Sequence, residues 1–427
     1  MKNLINIVDA PCGYGKTSWA IQAMNEACPR TYKFIYVTPF INETLRVKEA
    51  ITNRAFFIPE VNGVSKSKSI DLHRLLEEER DICMTHALFH NMQKATKNLI
   101  KDKNYILILD EVLDVVEQVK IKKDSLNLLL AANAITIKKN KNKIDQVFWN
   151  ESTGFNSTEY DDIKIMARSG SLMYYNDTAL IWNFPCDIFS DFCEVYILTY
   201  LFSGQFQRYY YDLHGVNYRY LSVVHDSDGY SLIPYNKRII HNKELISGLI
   251  NIYDGKLNDI GNKPLSMSSK WLKTNKLRKQ LSKNTYNFLM NMNNANVKNT
   301  LWTTYKASED AIKPKSYASA FLPVNTRATN EYSDRYNLAY LVNRYMNPMI
   351  KNYFVEYGVS VNQETWAVSE LIQWIWRSRI RNNESINLYI PSKRMRNLLN
   401  EYLLSDIFEE VPSESVTNQY PGDWNFA

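Results

Sequence analysis

Ala10-Pro-Cys-Gly-Tyr-Gly-Lys-Thr17 is the stretch on which the reading of this chain turns. It follows directly on Leu4 to Asp9, a short β-prone run, and leads into Ser18-Trp-Ala-Ile-Gln-Ala-Met-Asn-Glu26, whose apolar positions recur at helical spacing. Strand, glycine turn and helix open an α/β unit. In that setting the octapeptide has the spacing of a Walker A phosphate loop, with Ala10 in the place of the first glycine. Gly13 and Gly15 let the backbone wrap around phosphate oxygens, and the amides that begin the helix point at the anion. Lys16 is expected to neutralise the outer phosphates of ATP and Thr17 to place its hydroxyl on Mg²⁺. Ala10, Pro11, Cys12, Gly13, Tyr14, Gly15 and Ser18 complete the expected nucleotide-binding turn.

Working outward, Tyr105-Ile-Leu-Ile-Leu-Asp-Glu111 is an apolar strand that ends in two carboxylates. An open α/β sheet binds ligand at the C-terminal edge of its strands, so this places acid where the phosphates go. Asp110 is expected in the Mg²⁺ shell, and Glu111 is expected to orient or deprotonate the attacking water. Similar runs at Phe34 to Val37, Ile82 to Met84, Ala179 to Trp182 and Val195 to Leu198 predict a mostly parallel sheet covered on both faces. Gly63 to Ser69 reads as a polar loop, and Lys138 to Lys143 as part of an insertion.

Beyond about residue 230 the pattern restarts. Lys270 to Met292 reads as one long basic helix with Leu277, Leu281 and Phe288 as its apolar stripe. Thr300 to Tyr305, Ala318 to Val324 and Ile386 to Ile390 read as strands, and Asp334 to Tyr345, Glu364 to Arg377 and Ser392 to Leu403 as helices. Two α/β domains are therefore expected, residues 1–235 and 236–427.

The whole chain agrees with that division: 427 residues are more than one ordinary core accommodates. Hydrophobic residues make up 45% and charged residues 22%, which excludes a largely disordered protein. A net charge of +6 permits a polyanionic partner without requiring one. Five scattered cysteines match neither a zinc ribbon nor a disulfide framework, and no apolar run reaches the ~18 residues that cross a bilayer. A cytoplasmic protein with reduced thiols is expected. His86 and His90 share a helix face, but no glutamate follows His86 as a zinc protease requires.

With both phosphate-site elements in hand, the chain resembles the superfamily 2 DEAD/DExH-type helicases and translocases of compact phage or mobile-element type. Ala10 to Thr17 is similar to that family's first motif, with Cys12 for its threonine. Asp110-Glu-Val-Leu113 is similar to the second, with Leu113 where Asp or His is usual, so the side chain that couples ATP to the second domain in that family is replaced here. Tyr36-Val-Thr-Pro-Phe40, Cys83-Met-Thr-His-Ala-Leu88 and Val195-Tyr-Ile-Leu-Thr-Tyr200 follow in the expected order. Asn325-Thr-Arg-Ala-Thr-Asn330 lies where the fifth motif would, without its glycine-aspartate ending. Gln373-Trp-Ile-Trp-Arg-Ser-Arg-Ile-Arg381 is similar to the sixth, with Trp376 for its glycine and the last arginine one position late.

The resemblance implies two tandem RecA-like domains with parallel β-sheets, a P-loop NTPase with ATP in the cleft between them. It implies that Gln373 helps bind the nucleotide, that Arg377 and Arg381 reach across to the phosphates from one helix face, and that Thr38, Thr85, Arg327 and Thr329 contact a nucleic-acid backbone. DNA, held as a single strand, is the implied partner, with replication or recombination proteins beside it. Two other functions fit the residues. A DNA-packaging motor would need a nuclease carboxylate cluster, which residues 230–427 do not display. A nucleotide-dependent switch would account for Leu113, Trp376 and the shifted Arg381.

Overall fold

The computed structural model describes residues 4–61, 65–92, 94–101, 103–155, 157–236, 243–325, 331–405 and 407–409. The apolar runs of the first 110 residues form β1 (Ile5–Asp9), β2 (Lys33–Thr38), β3 (Phe56–Phe57), β4 (Asp81–Thr85) and β5 (Tyr105–Asp110). Five further strands, β6 (Val116–Val119), β7 (Ile135–Lys139), β8 (Asp145–Trp149), β9 (Leu172–Tyr175) and β10 (Ala179–Asn183), make a sheet of their own. The chain then returns to the first sheet with β11 (Glu194–Thr199), β12 (Tyr218–Asp226) and β13 (Gly229–Pro234).

The first sheet has the order β13-β12-β1-β11-β5-β2-β4-β3, with every neighbouring pair parallel except β12 and β13. Its register fixes the site. Asp9 lies opposite Thr199 and Leu198 opposite Asp110, so the loops that leave β1, β11 and β5 open along one edge. Every residue of β1 and β5 is buried, as strands covered on both faces must be. The helices that matter here are α1 (Lys16–Glu26), α2 (Ile41–Ala50), α3 (Phe206–His214), α4 (Pro348–Glu356), α5 (Gln363–Ile375) and α6 (Lys393–Leu404).

The C-terminal sheet is wholly parallel, in the order β14 (Ile250–Ile252), then, across from it, a strand at Ile386–Tyr389, with two strands beyond. These are β15 (Thr300–Thr303), β16 (Asn337–Tyr340) and β17 (Ile386–Tyr389), so the order is β14-β17-β16-β15. The expected α/β class with parallel sheets is what the chain adopts. Helix α5 is buried without a break from Thr365 to Ile375 and belongs to one apolar cluster that also holds Ile7 and Leu109 of the first sheet and Leu338 and Leu388 of the last. A helix buried on all sides is a core element, and here it ties the two parallel sheets together.

Several expectations are corrected. Ala179 to Trp182 joins an antiparallel sheet, β6-β10-β9-β8-β7, rather than the parallel one. Lys138 to Lys143, expected within an insertion, does lie in the sheet inserted between β5 and β11: it spans the end of β7 and the turn into β8, where the Asn140 side chain accepts from the amides of Asn142 and Ile144. The helix expected over Asp334 to Tyr345 is instead the inner strand β16: Leu338 through Val342 are buried in succession, and Asn337, Leu338 and Ala339 pair on both sides. Ala318 to Val324 carries a 3₁₀ turn, Ala318–Ala320, and a single bridge from Phe321 to Trp302; Pro323 has no amide to continue a ladder. The long basic helix is broken into Ser269–Thr274, Arg278–Tyr286 and a π-helical segment, Asn287–Met292. The break lies at Asn275, whose side chain takes the Leu277 amide at 2.8 Å, and Leu277 faces solvent rather than the core. Residues 63 and 64 of the expected Gly63 to Ser69 loop lie outside the described residues.

Candidate active site

The phosphate loop is set by its glycines. Gly13 and Gly15 have φ of 86° and 89°, the left-handed region where an L side chain is strained, and Gly15 is the N-cap of α1. The loop is anchored by the Ala10 amide, which donates to the Thr199 carbonyl at 3.1 Å. Lys16 is buried and donates from Nζ to the carbonyls of Ala10 and Pro11, the latter at 2.9 Å. The ammonium thus lies over the hollow that its own loop encloses.

Asp110, at the end of β5, sits between two hydroxyls. Tyr36 of β2 donates to its Oδ2 at 2.7 Å, and Thr17 of α1 approaches its Oδ1 at 3.5 Å. Burial pushes the Asp110 carboxyl up to about 6, with Glu111 adding to the shift, while the Tyr36 hydroxyl and Lys16 favour the charged form. Glu111 has a φ of 83°, an arrangement that costs an L residue about 1–3 kcal/mol and clusters at functional sites. Its amide is held by the Leu198 carbonyl at 2.9 Å, and its Oε2 is buried with no hydrogen-bond partner. Leu113 is buried, and its amide donates to Oε1 of Gln207 at 2.8 Å.

The second half of the chain reaches this place from the far side. Arg377 and Arg381 line the same cleft, of about 270 Å³, as Cys12, Gly13, Gly15, Lys16, Thr17, Ser18, Asp110 and Glu111. They do so without sharing a helix face, which corrects the expected geometry. Helix α5 stops at Ile375; Arg377 follows in a turn, and Arg381 lies in a 3₁₀ turn, Arg379–Asn382. The Arg381 carbonyl lies 3.8 Å from where a Cβ on Gly13 would stand, so this segment rests on the phosphate loop itself. Arg377 is buried, with Nε and Nη2 unpartnered. Burial holds Arg381 below the usual arginine range; Cys12 and Glu43 oppose that, and the charges of Arg377 and Arg46 add to it.

Glu43 and Arg46 of α2 and Tyr230 of β13 also line the cleft, and none of them lies in a recognisable motif. Glu43 and Arg46 form an ion pair at 2.8 Å. Other expected residues fall elsewhere. Gln373 is buried in α5 with its Nε2 unpartnered and is not among the residues lining the cleft. Tyr14 is half-buried against the apolar cluster that includes Trp19 and Val8. Thr38, the last residue of β2, is fully buried, so its side chain is not offered to a nucleic-acid strand. Thr85 uses its hydroxyl as the N-cap of the short helix His86–His90, accepting from the Leu88 amide at 3.4 Å. Arg327 and Thr329 lie outside the described residues. Among the described residues no helix is long and apolar enough to cross a membrane.

The SPbeta prophage-derived protein YonV of Bacillus subtilis (strain 168) is 40% identical over 409 residues, covering 93% of this chain and 98% of that protein. The chain belongs to the YonV family. The YonV middle domain matches residues 116–182, the antiparallel sheet, and the YonV C-terminal Rossmann-like domain matches residues 244–403, the last parallel sheet with α4, α5 and α6. Among solved structures, apo XPD aligns over 94% of this chain and 95% of that one, with 13% identity and a TM-score of 0.51. A second XPD helicase structure aligns over 93% and 95%, with 12% identity and a TM-score of 0.45. The likeness to apo XPD shows the fold: this YonV relative has a RecA-like α/β architecture with parallel sheets.

Proposed function

We propose that the chain is an ATP-dependent DNA helicase or translocase that hydrolyses ATP between its two parallel-sheet halves. What carries the reading is the composition of one cleft. A lysine on a glycine turn, two carboxylates and two arginines from the opposite half converge there, and two of these side chains, Glu111 and Arg377, have buried polar atoms with no partner in the protein. Buried polar groups are normally paired, so such orphans mark a place built for another charged group.

Bound Mg²⁺ and ATP would supply a reactive phosphoryl group and a divalent charge across its oxygens. The residues suit both. The amides at the start of α1 and Lys16 bind and orient phosphate oxygens, and Thr17 with Asp110 offers the hydroxyl and carboxylate that hold Mg²⁺. Tyr36 keeps Asp110 aimed. Glu111, fixed at the strand end, holds a water and accepts its proton at Oε2. Arg377 and Arg381 stabilise charge on the outer oxygens and make closure of the two halves sensitive to the nucleotide. The YonV relative is prophage-derived, which fits work on phage DNA.

The test is the ATPase rate of purified protein with single-stranded DNA, duplex DNA and RNA, beside Lys16→Ala. DNA-stimulated turnover in the wild type and background turnover in the variant are expected. Turnover that neither DNA nor RNA changes would remove the translocase reading, and equal rates in the two proteins would remove the ATPase reading.

A further inference from the structure

The cleft has a direction. Asp110 and Glu111 end β5, two strands to one side of β1, while Tyr230 lies on β13, two strands to the other side. Neighbouring strands are ~4.8 Å apart, so the carboxylates and Tyr230 stand on opposite flanks of the phosphate loop. If the outer phosphates lie toward Asp110, Glu111 and the arginines, the rest of the nucleotide extends across Gly15 toward β13. There it meets Tyr230, the sole aromatic side chain among the described residues that line the cleft.

The ring is built in rather than loosely displayed. A Cβ on Gly15 would lie 2.3 Å from Cε1 of Tyr230, so the ring packs directly on the glycine that caps α1. The Tyr230 amide donates to Oε1 of Gln22, on α1, at 2.8 Å. Gly229, at a φ of 110°, leaves no room for a Cβ beside the same glutamine, which lets the β12–β13 turn close onto the helix. Behind the ring, His225 packs across the strand pair with its centroid 4.4 Å from that of Tyr230. The ring is thus tied to the helix that holds the phosphates. Both ends of a bound nucleotide would be referenced to one rigid element.

We infer that Tyr230 is the stacking platform for the base of the nucleotide, backed by His225 and positioned by Gln22, and that this makes the site one for purine nucleoside triphosphates. An aromatic face attracts a base through its π-surface, and the larger purine ring offers more of it. This rests on the ATPase reading, because the phosphate loop sets which way the nucleotide lies.

The experiment measures binding of a fluorescent ATP analogue to the full chain, with unlabelled ATP, CTP and inorganic tripolyphosphate as competitors. Tyr230→Ala is expected to weaken ATP by about ten-fold and to erase the preference for ATP over CTP, while tripolyphosphate competes as in the wild type. Tyr230→Phe should restore both. Lys16→Ala should weaken ATP and tripolyphosphate alike. Tyr230→Ala that leaves ATP affinity unchanged, or that weakens tripolyphosphate equally, would overturn the stacking role while leaving the phosphate site standing. A wild-type chain that binds neither the fluorescent analogue nor any of the three competitors would overturn the ATPase reading and this inference with it.

Discussion

Asp110 carries two opposed demands. It must be ionised to hold Mg²⁺, yet burial pushes its carboxyl up to about 6. A proton and Mg²⁺ therefore compete for it, and turnover at limiting Mg²⁺ is expected to fall as the pH drops through about 6 and to recover with excess Mg²⁺. Tyr36→Phe removes a donor that favours the ionised form, so the acid limb should move to higher pH. A pH–rate profile at two Mg²⁺ concentrations checks both, and an unmoved limb would remove Tyr36 from the site. Stability runs in the other sense. A carboxyl whose folded-state value lies above its unfolded one destabilises as the pH rises from about 4 through 6. Asp110→Asn is accordingly expected to abolish turnover and to raise the melting temperature at pH 7, when measured without nucleotide. At this scale the loop and its carboxylates were legible, since strand, turn and helix lie within a few residues of each other. Tyr36 and Tyr230 were not, because Tyr36 meets Asp110, and Tyr230 meets the phosphate loop, only through the pairing of strands far apart in the chain.

Elements explain why the arginines arrive. Helix α5 is buried on every side, with Glu370 held against Arg344, so it has little freedom to turn, and the turn after Ile375 delivers Arg377 and Arg381 to the phosphate loop. The motif spacing led to both residues but not to their geometry. A helix face was expected, whereas Trp374 and Trp376 go into the core and α5 ends at Ile375, before either arginine. Similarly, the stretch through β16 read as a helix because Leu338 to Val342, five buried residues in a row, carry no period by which to tell strand from helix. Arg377 gives a prediction on stability as well as activity. A buried polar group with no partner costs about 1–3 kcal/mol, and Arg377 has two such nitrogens. Arg377→Met should therefore melt no lower than the wild type while losing turnover. Arg381→Ala should lower turnover on the order of 10³-fold with ATP binding largely retained. A thermal melt and a binding titration beside the rate separate these outcomes; a clear drop in melting temperature for Arg377→Met would show that the guanidinium is a structural element.

Across the whole molecule the two parallel sheets do not stand apart. Besides the shared apolar cluster, the segment after β11 is bonded to the far half through several residues, among them Tyr200 to the Tyr402 hydroxyl at 2.8 Å, Gln205 to Ser369 at 2.9 Å, Arg208 to the Ser360 carbonyl at 3.0 Å and Tyr209 to Asn362 at 3.0 Å. The antiparallel sheet adds another link, from Asn183 to the Tyr353 hydroxyl of α4 at 2.9 Å. Asp9, at the end of β1, accepts from the amides of Leu201 and Phe202, both at 2.9 Å, so the same segment is fastened to the strand that feeds the phosphate loop. Halves joined in this way should unfold together. Calorimetry is expected to show one transition, shifted upward as a whole by ATP with Mg²⁺, because a ligand of the folded state stabilises everything that unfolds with its site. Gly204 is where this joint is tightest: a Cβ there would lie 2.7 Å from the backbone of both Thr365 and Trp366 at the start of α5. Neither backbone can yield without moving α5, so Gly204→Ala should cost about 1–3 kcal/mol, or about 1–3 °C in a chain of this length. It should also reduce ATP-dependent turnover, since α5 leads to Arg377. Two separable transitions in the wild type, with ATP moving only one of them, would mean that the halves fold independently and that the segment after β11 is a tether and not a joint.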